Sequence, residues 1–226
     1  MTVHGRRFFL SGLVLGAAAC AGCDLATLTY FLMPENDAPA ECRRLASADP
    51  KKEVRVVILT YTHLETRAEF IGADRALSEL LARNLRELSE QNREKLTIVS
   101  PRKVEEYKNN HPEWKESDLG QVGRHFNADY VIYLEIESLN LYQRGSSESL
   151  YRGEANLSYT LVDVNHPDES PEQRPVSYVY PSDARAMDVS PELPPMQFRQ
   201  MFLNHVARRL SWCFASHPRK DRYLFD

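Results

Sequence analysis

Glu53-Val54-Arg55-Val56-Val57-Ile58-Leu59-Thr60 is β-branched and almost continuously apolar, the pattern of a strand covered on both faces rather than on one. It predicts a central strand with helices packed against the sheet. Downstream, Ala76, Leu77, Leu80, Leu81, Leu85 and Leu88 recur at helical spacing, while Glu79, Arg83, Arg86 and Glu87 take the other faces. Leu96 to Val99 reads as a short strand. Ser100-Pro101 then supplies an N-cap and a first-turn proline for a helix through about Asn109.

His111-Pro112 breaks that helix, Ser117 is placed to cap the next, and Asn127 ends it. Tyr130 to Tyr142, Tyr151 to Val164 and Val176 to Tyr180 read as three strands of an antiparallel meander, with polar turns around Gly145 and from Asn165 to Pro175. Phe198, Met201, Phe202, His205, Val206, Arg209, Leu210 and Cys213 trace one stripe of a last helix, from about Pro195 to Ser216. The order β-α-β-α-α-β-β-β-α predicts a single α/β domain with a mixed central sheet and helices packed on it, in two or three layers. Residues 53–217 form this domain, residues 24–52 a tether, and residues 218–226 a tail. Pro34, Pro39 and Pro50, with scattered charge and no periodicity, mark the tether.

The first 23 residues, MTVHGRRFFLSGLVLGAAACAGC, have a basic head, an apolar run and a small-residue end, the three parts of an export signal. Arg6-Arg7-Phe8-Phe9-Leu10 also resembles the twin-arginine signal. AAAC at Ala17 to Cys20 and CAGC at Cys20 to Cys23 each resemble the lipobox of bacterial lipoproteins. That resemblance implies cleavage before a cysteine and diacylation of its sulfur, at Cys23 in the first instance and at Cys20 as the alternative. It also implies that Asp24, directly after Cys23, favours retention in the inner membrane. Three other readings stay open: an uncleaved anchor from Phe8 to Met33, a Cys-x-x-Cys thiol site at Cys20 and Cys23, and cleavage without lipid.

Arg6 and Arg7 leave with the leader, which takes the formal charge from −4 to −6. An acidic body without a long basic block argues against a nucleic-acid partner. Cys42 and Cys213 are the cysteines beyond the leader, and an oxidising envelope compartment would permit a disulfide between them.

Gly120-Gln121-Val122-Gly123-Arg124-His125-Phe126-Asn127-Ala128-Asp129-Tyr130-Val131-Ile132 ends a helix in a small-residue turn, follows with Ala-Asp and begins a strand. This segment is similar to one in periplasmic accessory domains: the amino-terminal domain of the TolB translocation protein, the curli-secretion lipoprotein CsgG and the penicillin-binding-protein activator lipoprotein LpoB. The resemblance spans Val54 to Tyr142 and, with the leader, extends to uncharacterised bacterial predicted lipoproteins. It implies the fold and an accessory role in the cell envelope, with the body membrane-anchored and facing the periplasm. Where those relatives turn through Pro-Phe after the first strand, this chain continues Thr60-Tyr61-Thr62-His63, and no alternating segments suit a membrane barrel.

Motifs for chemistry are sparse. The glycines after Cys23 are Gly72, Gly120, Gly123, Gly145 and Gly153, and none forms a Gly-rich turn between strand and helix that could cradle phosphate. There is no G-x-S-x-G and no His-Glu pair of the zincin type, so no catalytic residue, metal ligand or cofactor is assigned. His63, Glu65 and Glu69 follow the first strand's carboxyl end, where open α/β sheets bind ligands, and are the positional candidates for a site. Glu135 and Glu137, two apart on a strand, read either as a carboxylate pair or as solvated charges. His205 reads as a structural histidine on the inward stripe. The tyrosines along the strands fit equally a protein-binding surface and ordinary half-buried positions. The expected partners are the membrane, through the lipid, and an unidentified envelope protein.

Overall fold

The computed structural model describes residues 37–47, 49, 51–62, 70–182 and 185–219. The leader readings at Cys20 and Cys23 lie outside these residues. Strand β1 (Val54–Thr62) pairs in parallel with β2 (Leu96–Ile98) on one side and with β3 (Tyr130–Tyr142) on the other. β4 (Leu150–Asp163) continues antiparallel to β3, and β5 (Glu172–Tyr180) antiparallel to β4, giving the order β2-β1-β3-β4-β5. A two-residue β6 (Met187–Asp188) pairs with the start of β4. The mixed sheet and its internal β1 are as the sequence predicts.

Helices α1 (Ala73–Gln91) and α4 (Pro195–Phe214) cover one face of the sheet. Leu77, Leu81 and Leu85 of α1, with Phe202, Leu203, Val206 and Leu210 of α4, pack on Val56, Ile58, Ile132, Leu134, Leu157 and Tyr159. The opposite face carries α2 (Pro101–Asn110), a 3-10 turn (Pro112–Lys115) and α3 (Leu119–His125), which bury Val57, Leu59 and Val131 with Val104, Trp114 and Val122. Alternate residues of β1 thus enter different cores, the physical reason its sequence is apolar throughout. The question of two layers or three has a local answer: three over β1 and the start of β3, two toward β5.

β4 shows the complementary pattern. Tyr151, Gly153, Ala155, Leu157, Tyr159, Leu161 and Asp163 point into the larger core, and the intervening side chains are half-exposed. β5 begins at Glu172, so the last part of the segment read as turn, Glu172 to Pro175, is strand. Its polar side chains and Pro175 suit an edge, where a missing backbone donor is tolerated. Asp118, not Ser117, caps α3, its carboxylate accepting the Gly120 N–H at 3.0 Å. Ser100 does precede α2, but its hydroxyl makes no capping bond.

Within the segment read as tether, residues 38–45 form a strap against the end of α4. The Ala38 N–H donates to the His217 carbonyl at 2.8 Å, Glu41 to Trp212 at 2.9 Å, and both Cys42 to Cys213 and Leu45 to Phe214 at 3.0 Å. Leu45, only 1% exposed, is inserted into the larger core.

Candidate functional site

Tyr61 and Thr62 close β1, and His63, Glu65 and Glu69 fall in 63–69, outside the described residues. What the structure places at this end of the sheet is an aromatic and cationic cluster. Trp114, carried by the 3-10 turn, sits edge-on between Tyr61 and Tyr133, with ring centroids 6.3 and 6.2 Å away. Lys115 lays its ammonium over Tyr61 at 3.8 Å, and Lys108 lies 5.3 Å from the Trp114 ring. Lys108 also donates to the Thr60 carbonyl at 3.0 Å and to Glu105 at 2.7 Å. Its charge therefore ties α2 to the end of β1. Burial, followed by the charges of Glu135 and Tyr61, pushes the Tyr133 hydroxyl up to about 12.

Beyond this cluster the same face of β3, β4 and β5 has no helix over it among the described residues. Ser138, Asn156 and Ser177 face one another across the three strands. Asn156 donates to Ser138 at 2.7 Å and accepts from Ser177 at 2.8 Å. The ladder gives the face a fixed pattern of polar groups, flanked by the exposed Glu137. Glu137 lies within a register irregularity between Ile136 and Ser138, whereas Glu135 is half-buried at the side of Tyr61 in the β1–β3 register. The pair is thus split between two environments.

A second polar cluster sits where β4 ends. The Asp163 carboxylate, with its side chain 4% exposed, accepts from Arg43 at 2.9 Å and from the Asn165 N–H at 3.1 Å, and lies 3.1 Å from His166 Nδ1. Burial opposes its ionisation, but the His166 and Asn165 hydrogen bonds and the Arg43 charge outweigh it and hold the carboxyl below its usual range. Arg43 belongs to the strap, so this ion pair fastens strap to sheet.

Other sequence candidates resolve into architecture. His205 is buried on α4 with its ring 5.1 Å from that of Tyr180. Tyr151 and Tyr159 are core residues, and Tyr130, Tyr142, Tyr178 and Tyr180 are partly buried against the same core, so they do not form a tyrosine surface. Gly120 and Gly123 lie in α3. A Cβ on Gly123 would come within 2.4 Å of Val164, which makes that glycine a packing residue. Ala128 is buried, and Asp129 accepts the Arg55 N–H at 2.8 Å while its own N–H donates to the Arg55 carbonyl at 2.7 Å. The Ala-Asp pair of the resemblance thus aligns the starts of β1 and β3. Among the described residues no group of three or more His, Cys, Asp or Glu side chains is placed to hold a metal, and no helix is long and apolar enough to cross a membrane.

No family model and no curated protein matches the chain. Solved structures similar to it include the PelC dodecamer from Paraburkholderia phytofirmans, at 14% identity over 80% of this chain and 94% of that one, with a TM-score of 0.42. Lipoprotein GNA1162 from Neisseria meningitidis is similar at 13% identity, over 70% and 98% of the two chains, with a TM-score of 0.41. The LpoB C-terminal domain from Salmonella enterica is similar at 18% identity, over 59% and 87%, with a TM-score of 0.31.

Proposed function

We propose that this chain is a lipid-anchored protein of the bacterial cell envelope whose α/β body acts as a non-enzymatic accessory module, binding an envelope protein on the periplasmic side. The observation that carries this reading is the leader. Its basic head, apolar run and paired lipobox-like cysteines supply an export address and a sulfur to acylate, at Cys23 or alternatively Cys20. Two acyl chains on one cysteine hold a protein on a bilayer stably, which a single chain does not.

The uncovered face of β3, β4 and β5 is the surface assigned to the partner. It presents the Ser138-Asn156-Ser177 ladder beside the half-buried Tyr61 and Tyr133, which rest on the buried Trp114, a polar field with aromatic side chains at its margin. β5 is the edge strand. In-cell crosslinking followed by capture of the full-length protein checks the surface. Asn156→Arg, which places a bulky charge in the ladder, should abolish the crosslinked partner while the purified variant keeps its thermal midpoint. Undiminished capture by that variant would refute the assignment.

His63, Glu65 and Glu69 are the alternative, as an enzyme or small-ligand site at the end of β1. Their joint replacement by alanine separates the two readings: loss of the biological function with partner capture intact would favour the alternative.

A further inference from the structure

We propose that Cys42 and Cys213 form an intramolecular disulfide that locks the strap to the end of α4 when the protein meets a disulfide oxidant. The two residues come from opposite ends of the body, and the backbone sets them side by side. The Cys42 N–H donates to the Cys213 carbonyl at 3.0 Å, with the Glu41–Trp212 and Leu45–Phe214 bonds holding the chain on either side. A single N–H···O=C bond of that length keeps the two Cα atoms about 5 to 6.5 Å apart, inside the range a disulfide spans.

The side chains converge as well. The Cys42 thiol is near enough to the Cys213 thiol and the Tyr159 hydroxyl to help push both up. Tyr178 Oη lies 4.0 Å from Cys213 Sγ. Both cysteines are free thiols, Cys213 buried and Cys42 partly exposed. Of these two, Cys42 is the one open to a reagent.

That difference orders the reaction. The Cys42 thiol loses its proton and attacks one sulfur of a donor disulfide; the donor's S–S bond breaks, one donor thiolate leaves, and Cys42 carries the mixed disulfide. Cys213, whose thiol burial pushes up and thereby disfavours as first attacker, then loses its proton and attacks the Cys42 sulfur. The second donor thiolate departs. The protein gives up two electrons and two protons, and the donor disulfide becomes two thiols.

The test uses the purified, fully reduced full-length chain with oxidised glutathione as donor, followed by denaturation in N-ethylmaleimide and peptide mapping. The expected result is a Cys42–Cys213 linked peptide, lighter by two hydrogens than the pair of thiol peptides. The thermal midpoint should rise by about 5–10 °C and return on reduction. Cys42→Ser should keep the midpoint of the reduced protein and show no rise with the oxidant. Maleimide on both cysteines after oxidation, a mixed disulfide that stays on Cys42, or pairing with Cys20 or Cys23 would each overturn the proposal. Because the oxidant is added to purified protein, these outcomes do not depend on whether the chain is exported.

Discussion

Three residues carry effects that a single substitution reads out. A Cβ at Gly153 would sit 2.4 Å from Cδ2 of Phe202, since β4 passes directly under that ring. Gly153→Ala should therefore cost about 1–3 kcal/mol in urea unfolding, and Phe202→Leu in the same chain should recover part of it. Asp163 releases its proton more readily in the fold than in the unfolded chain. Its contribution is thus present above the ordinary carboxylate range, near about 4, and is lost as pH falls below it. Asp163→Asn should lower stability at neutral pH by about 1–2 kcal/mol and flatten the acid limb of the stability curve. Tyr133 has the opposite sign: held neutral up to about 12, it stabilises the fold below the ordinary tyrosine value and ceases to do so as pH climbs through 12. Tyr133→Phe should remove that part of the alkaline loss, measured as the thermal midpoint from neutral pH upward.

Among the elements, those with periodic burial were readable from sequence and those held by backbone bonds were not. β1, α1 and α4 owe their form to apolar side chains at regular spacing, so Val56 to Leu59, Leu77 to Leu88 and Phe198 to Leu210 announce them. The strap has no such spacing. Its attachment is a set of main-chain hydrogen bonds, which almost any sequence can make, with the buried Leu45 and the Arg43–Asp163 ion pair. The start of β5 was hidden for a related reason: an edge strand exposes Gln173 to Pro175 and needs no apolar alternation. Gly153 was legible only as a glycine, because the ring that requires it comes from α4. At the candidate site, Tyr61 and Tyr133 stand on readable strands, whereas Trp114 joins them through a 3-10 turn that no pattern marks. Leu45→Ala should cost about 2–4 kcal/mol in urea unfolding, a loss that residues of a free tether would not show.

For the molecule as a whole, the proposed function makes the leader a membrane anchor and the open face of β3, β4 and β5 a surface for a partner. The anchor is open to mass spectrometry of the mature amino-terminal peptide from membrane fractions, with Cys23→Ala and Cys20→Ala chains alongside. We expect a peptide that begins at Cys23, carries a diacylglyceryl group on its sulfur, and disappears in Cys23→Ala. An intact Met1, or a mature start without lipid on any cysteine, would contradict a lipid-anchored envelope protein.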